Sequence, residues 1–208
     1  MDIDSTSSIE LNSSQAILKR VFDISLAIIG LALCWWLILL SWLAASIDMR
    51  SNGFFVQIRV GMNGRLFPIV KIKTMRPISE IKTTVTQRGD PRITRLGAFF
   101  RVSKIDELPP LWNVLCGHMS FVGPRPDVPG FADCLRGAER SMLSIRPGIT
   151  GPATLRYRNE EELLAEQSDP EEYNRKVIWP DKVRINLDYI RTWSLTKDIR
   201  LIIQTVLN

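Results

Sequence analysis

Histidine and cysteine are scarce in this chain. Its 208 residues include one histidine, His118, and three cysteines, Cys34, Cys116 and Cys134, which lie far apart and form no C-x-x-C pair. One imidazole excludes a histidine-rich metal site, and the cysteine spacing gives neither a zinc knuckle nor an even set of disulfide partners. Carboxylates, lysine, arginine and metal-bound water remain available for chemistry, and the thiol usage indicates a reducing compartment.

The charge balance is moderately basic. There are 27 Lys and Arg against 22 Asp and Glu, a net charge of +5 with a sequence pI of about 9.3. Hydrophobic residues make up 45% and charged residues 24%, close to globular averages, which excludes a disordered chain and a transporter with many spans. The excess of cations indicates an anionic partner, which leaves nucleic acid, an anionic membrane surface and a phosphorylated substrate open.

One long segment carries no charge. It runs from Ile24 to Ile47, 24 residues that as a helix would extend about 36 Å, against roughly 30 Å for a hydrocarbon core. Its length and the polar residues before it predict a membrane segment that is retained in the mature protein. Basic residues are almost balanced across it, with Lys19 and Arg20 before and Arg50, Arg59 and Arg65 after. A spanning helix and a segment with both ends on one face therefore both stay open.

The remaining chain alternates short elements with Gly and Pro punctuation. We predict a β-hairpin over Phe54–Met75 around Gly61, Asn63 and Gly64, followed by a polar loop over Arg76–Pro91. Helices are predicted over Arg92–Arg101, where the helix is short and amphipathic, from Pro109-Pro110 to Gly117, and over Phe131–Ser144. An exposed acidic segment over Glu160–Glu172 and an apolar helical stripe over Lys182–Asn208, interrupted near Ser194, complete the chain. The expected fold class is α+β: an N-terminal membrane helix followed by a small helix-rich domain with a short hairpin and interfacial amphipathic helices.

Arginines near tight turns and helix ends are the candidate anion ligands. They are Arg92, Arg95, Arg101, Arg125 and Arg146, whose guanidinium forks suit phosphate oxygens. Against this basic background, Asp106-Glu107 is an acidic pair at a predicted helix entrance, able to attack phosphorus or to hold Mg²⁺ together with substrate phosphates. Taken alone, such a dipeptide is more often a favourable helix cap.

Six motifs together resemble one family. They are Lys19-Arg20-x-x-Asp23 before the apolar segment, Lys71-x-Lys73-Thr-Met, Ser103-x-x-Asp106-Glu107-Leu-Pro, Trp112-Asn113-Val-Leu, Met119-Ser-Phe-Val-Gly-Pro-Arg-Pro126 and Arg146-Pro-Gly-Ile-Thr-Gly151. In order and spacing the chain from about Lys19 onward resembles the bacterial sugar transferases known as small monotopic phosphoglycosyl transferases. The resemblance divides the chain into a polar tail (1–18), a membrane-inserted segment (19–50) and a catalytic domain (51–208).

The resemblance implies an enzyme that moves sugar-1-phosphate from a UDP-sugar to polyprenyl phosphate, releasing UMP and starting a surface glycan. It assigns Asp106 as the nucleophile of a covalent intermediate and Glu107 as the Mg²⁺ ligand. Substrate or phosphate contacts are expected at Lys73, Arg92, Arg101, Arg125 and Arg146. The expected place is the bacterial cytoplasmic membrane, with the catalytic domain on the cytoplasmic face. Downstream glycosyltransferases are implied as partners, and nucleic acid is not.

The sequence also departs from the family pattern. Trp35-Trp36 stands where many members carry a helix-breaking Ser-Pro, so the usual break is absent. We expect re-entry from the family resemblance and the balanced basic residues, with Gly30 and Ser41 as bending points, and a spanning helix is the alternative. Two other functions stay open. One is a membrane-tethered nucleotide-sugar-binding scaffold without catalysis, suggested by Trp35-Trp36 and the altered Gly151-Pro152 segment. The other is a basic nucleic-acid binder, suggested by the net charge alone.

Overall fold

A computed structural model describes residues 9–77 and 90–207, so the central part of the predicted Arg76–Pro91 loop lies outside the described residues. The helices are α1 (Ser13–Met49), α2 (Arg95–Val102), α3 (Pro110–Leu115), α4 (Pro152–Arg156), α5 (Glu160–Ala165), α6 (Pro170–Tyr173), α7 (Trp179–Arg191) and α8 (Leu195–Leu207). The strands are β1 (Phe54–Val60), β2 (Leu66–Ile72), β3 (Ser120–Val122) and β4 (Gly148–Thr150). The α+β class is confirmed.

Helix α1 begins with a capping box, in which Asn12 and Gln15 satisfy each other's backbone N–H groups, and it ends at Arg50 in the left-handed region. Among the described residues it is the one helix long and apolar enough to cross a membrane. Its helical hydrogen bonding continues through Gly30, Trp35 and Ser41. The structure therefore shows no break where the expected re-entrant bend would occur.

Small side chains dock α1 along the rest of the protein. Ala27 is fully buried among Val114 and other core residues, and Ala45 packs with Phe100. Between them, Gly30 has Leu111 so close that an added Cβ would lie 3.2 Å from a leucine methyl carbon. Because Ala27 and Ala45 are 18 residues apart, contact extends over about 27 Å of helix.

Charged residues at the start of α1 strengthen this docking. Lys19 Nζ lies 2.6 Å from Asp198 Oδ2 of α8, and the Asp23 carboxylate accepts from the Ser120 hydroxyl and from a β3 backbone N–H. Arg20 donates to the carbonyls of Val114 and Leu115 at the end of α3. The Lys19-Arg20-x-x-Asp23 motif thus ties α1 to three separate elements.

Strands β1 and β2 form the predicted antiparallel hairpin, with Phe54 opposite Ile72 and Val60 opposite Leu66. Asn63 and Gly64 carry positive φ values of 58° and 78°, which is why an Asn-Gly pair suits the turn. Phe67, Ile69 and Lys71 alternate along β2 and share one face; the first two are buried in the core. The side chain of Lys71 therefore lies on the same face of β2 as the buried Phe67 and Ile69.

The C-terminal half differs from one expectation. The single helix predicted over Phe131–Ser144 is wrong, because two 3₁₀ stretches, Ala132–Cys134 and Gly137–Ser144, replace it. Leu135 and Arg136 between them are extended, and Gly137 has φ of 55°. The predicted helical stripe after Lys182 is confirmed as α7 and α8, which separate at Thr192–Ser194.

A buried polar cluster joins α1, α7 and α8. The Asp198 side chain, fully buried, accepts from Lys19, from the Tyr189 hydroxyl at 2.6 Å and from Trp193 Nε1 at 3.1 Å. Burial and the neighbouring carboxylate raise the pKa of the Tyr189 hydroxyl, so that it stays protonated and donates.

We expect Asp198→Ala to destabilise the protein strongly, because it leaves buried Lys19 without its counter-ion. Loss of one partner of a buried ion pair costs about 3–5 kcal/mol, which corresponds to a fall in Tm of roughly 10 °C for a chain of this size. The measurement is thermal unfolding in detergent followed by circular dichroism. Asp188→Ala is the matched control, since Asp188 and its partner Arg191 are more than half exposed. Equal melting of the two variants would contradict the prediction.

Candidate active site

The acidic turn is the 3₁₀ turn Ile105–Glu107, which connects α2 to α3. Lys104 precedes it with φ of 58°, a left-handed conformation that reverses the chain sharply after α2. Pro109 and Pro110 then open α3 as the sequence predicts. This backbone presents Asp106 and Glu107 on adjacent corners of one tight turn.

Asn113 fixes α3 on the hairpin. Its buried side chain donates to the Pro68 carbonyl at 2.8 Å and accepts from the Val70 backbone N–H at 3.2 Å. These bonds imitate a strand pairing with β2. They hold the start of α3, and hence Glu107, over Lys71.

Glu107 is held by two cations. Lys71 Nζ lies 2.8 Å from its Oε1, and Arg125 donates to the same oxygen at 3.2 Å. Burial by itself would raise the pKa of Glu107, but the charges of Arg125 and Lys71 outweigh it and hold the pKa well below its usual range. Glu107 is therefore ionised at all physiological pH values.

Asp106 has a different environment. Its Oδ1 is buried and has no hydrogen-bond partner among the described residues. Burial and the adjacent Glu107 charge raise the pKa of Asp106, while Lys71 and Arg101 act in the opposite direction. A buried carboxylate oxygen without a partner is unfavourable for folding, and such groups commonly serve a reaction.

The segment carrying Arg125 is fastened to β1. Arg59 donates to the Pro126 carbonyl at 3.1 Å, and the Val60 N–H donates to the Asp127 carbonyl at 2.9 Å. Burial raises the pKa of the Asp127 carboxyl to about 6, although the nearby Arg59 and Arg125 charges lower it. The strand thus positions Arg125 beside Glu107.

Close backbone contact joins this segment to β4. A Cβ on Gly123 would lie 2.4 Å from the Arg146 carbonyl oxygen, and one on Gly148 would lie 2.2 Å from the Gly123 nitrogen. Only glycine fits at both places.

A cavity of about 20 Å³ remains beside Glu107, Lys71 and Arg125, which is room for about one water molecule.

The acidic turn could bind a Mg²⁺ ion that takes most of its ligands from the substrate. Within the described residues, no group of three or more Asp, Glu, His or Cys side chains could hold a metal by itself. Both cations bind Oε1 of Glu107, which leaves Oε2 as the carboxylate oxygen for a metal. Magnesium binds through one or two carboxylates plus phosphates and waters, so this donor set is compatible with it.

The other predicted contact residues are dispersed. Arg101 lies near Met75 and its charge favours ionised Asp106. Arg92 forms a bidentate pair with Asp90, at 2.9 and 2.6 Å. Lys73 donates to the Ser51 hydroxyl.

Arg146 lies at the end of α3 opposite the acidic turn. Its Nε donates to the Gly117 carbonyl, close to Arg20. Of the seven residues expected from sequence, the structure brings Asp106, Glu107, Arg101 and Arg125 together, while Arg146 is separated from the acidic turn by the length of α3.

Sequence reasoning missed Lys71, Arg59 and Asp127. Lys71 stood in the same motif as Lys73, and the alternation of Phe67, Ile69 and Lys71 in the predicted strand was a usable signal for its direction. No comparable local pattern identifies Arg59 or Asp127, because their roles arise from contacts between residues more than 60 positions apart.

Comparison with known proteins identifies the family of this chain. A sequence profile described as bacterial sugar transferase matches residues 14–208. The chain is 37% identical to the UDP-glucose:undecaprenyl-phosphate glucose-1-phosphate transferase of Caulobacter vibrioides, covering 90% of this chain and 68% of that protein. It is 38% identical to the protein of the same name from Xanthomonas campestris pv. campestris, covering 90% and 37%.

A third relative carries a different sugar in its name. The chain is 36% identical to the galactosyl transferase CpsE of Streptococcus agalactiae serotype III, covering 93% of this chain and 42% of that protein. The chain thus spans less than half the length of two of these three relatives. Because the family match extends over almost the whole chain, this protein belongs to the bacterial sugar transferase family.

Proposed function

We propose that this protein transfers sugar-1-phosphate from a UDP-sugar to undecaprenyl phosphate and releases UMP. The observation that carries the proposal is the acidic turn, where Glu107 is ionised between two cations and Asp106 presents a buried oxygen without a partner. The names of the relatives support the substrates: two specify UDP-glucose and undecaprenyl phosphate, and one specifies galactosyl transfer.

The reaction has two displacements at one phosphorus. In the first, a carboxylate oxygen of Asp106 attacks the sugar-bearing phosphorus, the bond from that phosphorus to the bridging oxygen breaks, and UMP leaves with that oxygen. In the second, a phosphate oxygen of the acceptor attacks the same phosphorus, and the Asp106 carboxylate is released. The product is a polyprenyl diphosphate sugar. Such a covalent intermediate predicts ping-pong kinetics.

Residues around the turn prepare these steps. Arg125, half exposed beside Glu107, is placed to bind the donor diphosphate, and Arg101 and Lys71 favour the ionised nucleophile. Glu107 Oε2 would hold Mg²⁺. When bound, Mg²⁺ would neutralise charge on the diphosphate and its leaving group.

Attachment to the membrane gives the enzyme access to its lipid acceptor. The apolar helix α1 is the candidate membrane segment, and its packing against the body brings the acidic turn close to it. We assign the catalytic body to the cytoplasmic face of the membrane, where nucleotide sugars are made. The products would feed enzymes that extend a lipid-linked glycan.

The first test is UMP release by purified, detergent-held protein with Mg²⁺, undecaprenyl phosphate and a panel of UDP-sugars led by UDP-glucose and UDP-galactose. We expect release with at least one sugar and a loss of about three orders of magnitude or more in Asp106→Asn, because the amide is not a nucleophile. Circular dichroism verifies that the variant folds. Donor binding without UMP release by folded wild-type protein would instead support the non-catalytic scaffold.

Glu107→Gln should weaken the response to magnesium. The neutral amide keeps the shape of the side chain but loses the charge that attracts the ion, so we expect a rate loss of roughly tenfold or more and a higher Mg²⁺ concentration for half-maximal rate. Rates are measured over a Mg²⁺ titration. Glu172→Gln, which alters an exposed pair with Lys176, is the control. An unchanged Mg²⁺ titration in Glu107→Gln would remove its role as a ligand.

The two lysines of the Lys71-x-Lys73 motif should differ in their effect on pH dependence. Asp106 must be ionised to attack, so the rate rises with pH through its pKa, and the Lys71 charge lowers that pKa. Lys71→Met should therefore move the acid limb of kcat/KM for the UDP-sugar to higher pH. Lys73→Met, which loses a bond to Ser51, should leave the limb in place. If the acid limb moved in Lys73→Met but not in Lys71→Met, Lys73 and not Lys71 would be the lysine of the active site, as the sequence predicts.

A further inference from the structure

Three bulky apolar side chains are exposed on the two helices that flank the acidic turn. Phe99 and Val102 of α2 are 59% and 86% exposed, and Trp112 of α3 is 56% exposed. Their helix neighbours Phe100 and Leu111 are buried. Each helix therefore buries one apolar face and leaves another apolar surface uncovered. We call Phe99, Val102 and Trp112 the apolar rim.

The buried neighbours show where the apolar rim lies. Leu111 packs on Gly30 of α1, and Phe100 clusters with Ala45 of α1. Gly30 and Ala45 both belong to the uncharged stretch of that helix, about 22 Å apart along it. The acidic turn lies in the chain between Phe100 and Leu111. The apolar rim, the acidic turn and the uncharged stretch of α1 are consequently neighbours.

This arrangement matches the two chemical halves of a lipid phosphate. The head group requires cations, which Lys71 and Arg125 provide at the acidic turn. The isoprenoid chain of the lipid requires an apolar surface that continues from the head-group site into a membrane segment. Exposed apolar patches beside polar sites commonly bind such partners, and an indole offers a large flat contact area.

We propose that the apolar rim binds the isoprenoid chain of the acceptor lipid, with Trp112 as its principal contact. The inference rests on the proposed function, because it names the residues that receive the second substrate of that reaction. The donor is a water-soluble nucleotide sugar without an apolar chain. The apolar rim therefore acts in the second displacement and not in the first.

The test compares the two half reactions in Trp112→Ala. The full chain is purified in detergent, and UMP formation from the UDP-sugar is followed in a single turnover without acceptor. Transfer to undecaprenyl phosphate is then measured separately. We expect the first rate to stay within about twofold and kcat/KM for the acceptor to fall about tenfold, the effect of losing roughly 1.4 kcal/mol of binding. Trp112→Phe, which keeps an aromatic ring, should recover most of the loss.

Trp36→Ala is the matched control. Trp36 is 51% exposed and stands nine residues from both Ala27 and Ala45, half a turn around α1 from the face that meets the body. The same indole is removed there, but away from the acidic turn. We expect both half reactions to keep wild-type rates in this variant.

Acceptor length supplies a second measurement. An acceptor with the same phosphate and a short isoprenoid tail should lose less in Trp112→Ala, since less of its chain reaches the apolar rim. Equal losses for short and long acceptors, equal losses in Trp112→Ala and Trp36→Ala, or no loss in Trp112→Ala would overturn the inference. Failure of the proposed function looks different, because wild-type protein would then release no UMP.

Discussion

The packing of α1 against the body is the constraint on which the rest of the structure depends. The uncharged stretch of α1 would normally separate from a polar domain, but a stripe of small residues, including Ala27, Gly30 and Ala45, allows close contact. The ion pair of Lys19 with Asp198 anchors its first turns. Burying these charges is unfavourable without hydrogen bonds; Asp198 also accepts from Tyr189 and Trp193, and Lys19 also donates to the Tyr189 hydroxyl. The consequence is that the acidic turn lies beside an apolar helix.

The acidic turn shows how consecutive residues acquire different chemistry. In a 3₁₀ turn successive side chains point about 120° apart, so Asp106 and Glu107 meet different surroundings. Glu107 lies on Lys71 and Arg125 and is fixed as a charge, whereas Asp106 keeps an unpaired oxygen. Two carboxylates whose pKa values move in opposite directions are suited to different roles. A fixed negative charge next to a second carboxylate with an unpaired oxygen is compatible with the proposed phosphoryl transfer.

Local patterns in the sequence determined several elements correctly. The uncharged run predicts a long apolar helix, Asn63-Gly64 predicts the hairpin turn, and Pro109-Pro110 predicts the start of α3. Each of these signals acts over a few residues through hydrogen bonding, φ preference or hydrophobic periodicity. The resemblance of six ordered motifs gave the family, which the profile match confirms. The single helix predicted over Phe131–Ser144 was wrong because local periodicity did not weigh the extended Leu135 and Arg136.

The sequence by itself determined the fold class, the apolar helix, the family and the placement of Asp106-Glu107 at a helix entrance. Only the tertiary structure decided which cations meet that pair. It selected Lys71 over Lys73 and separated Arg146 from the acidic turn. The physical reason is that these contacts join residues tens of positions apart, where strand direction, helix length and the docking of α1 fix distances that spacing along the chain cannot.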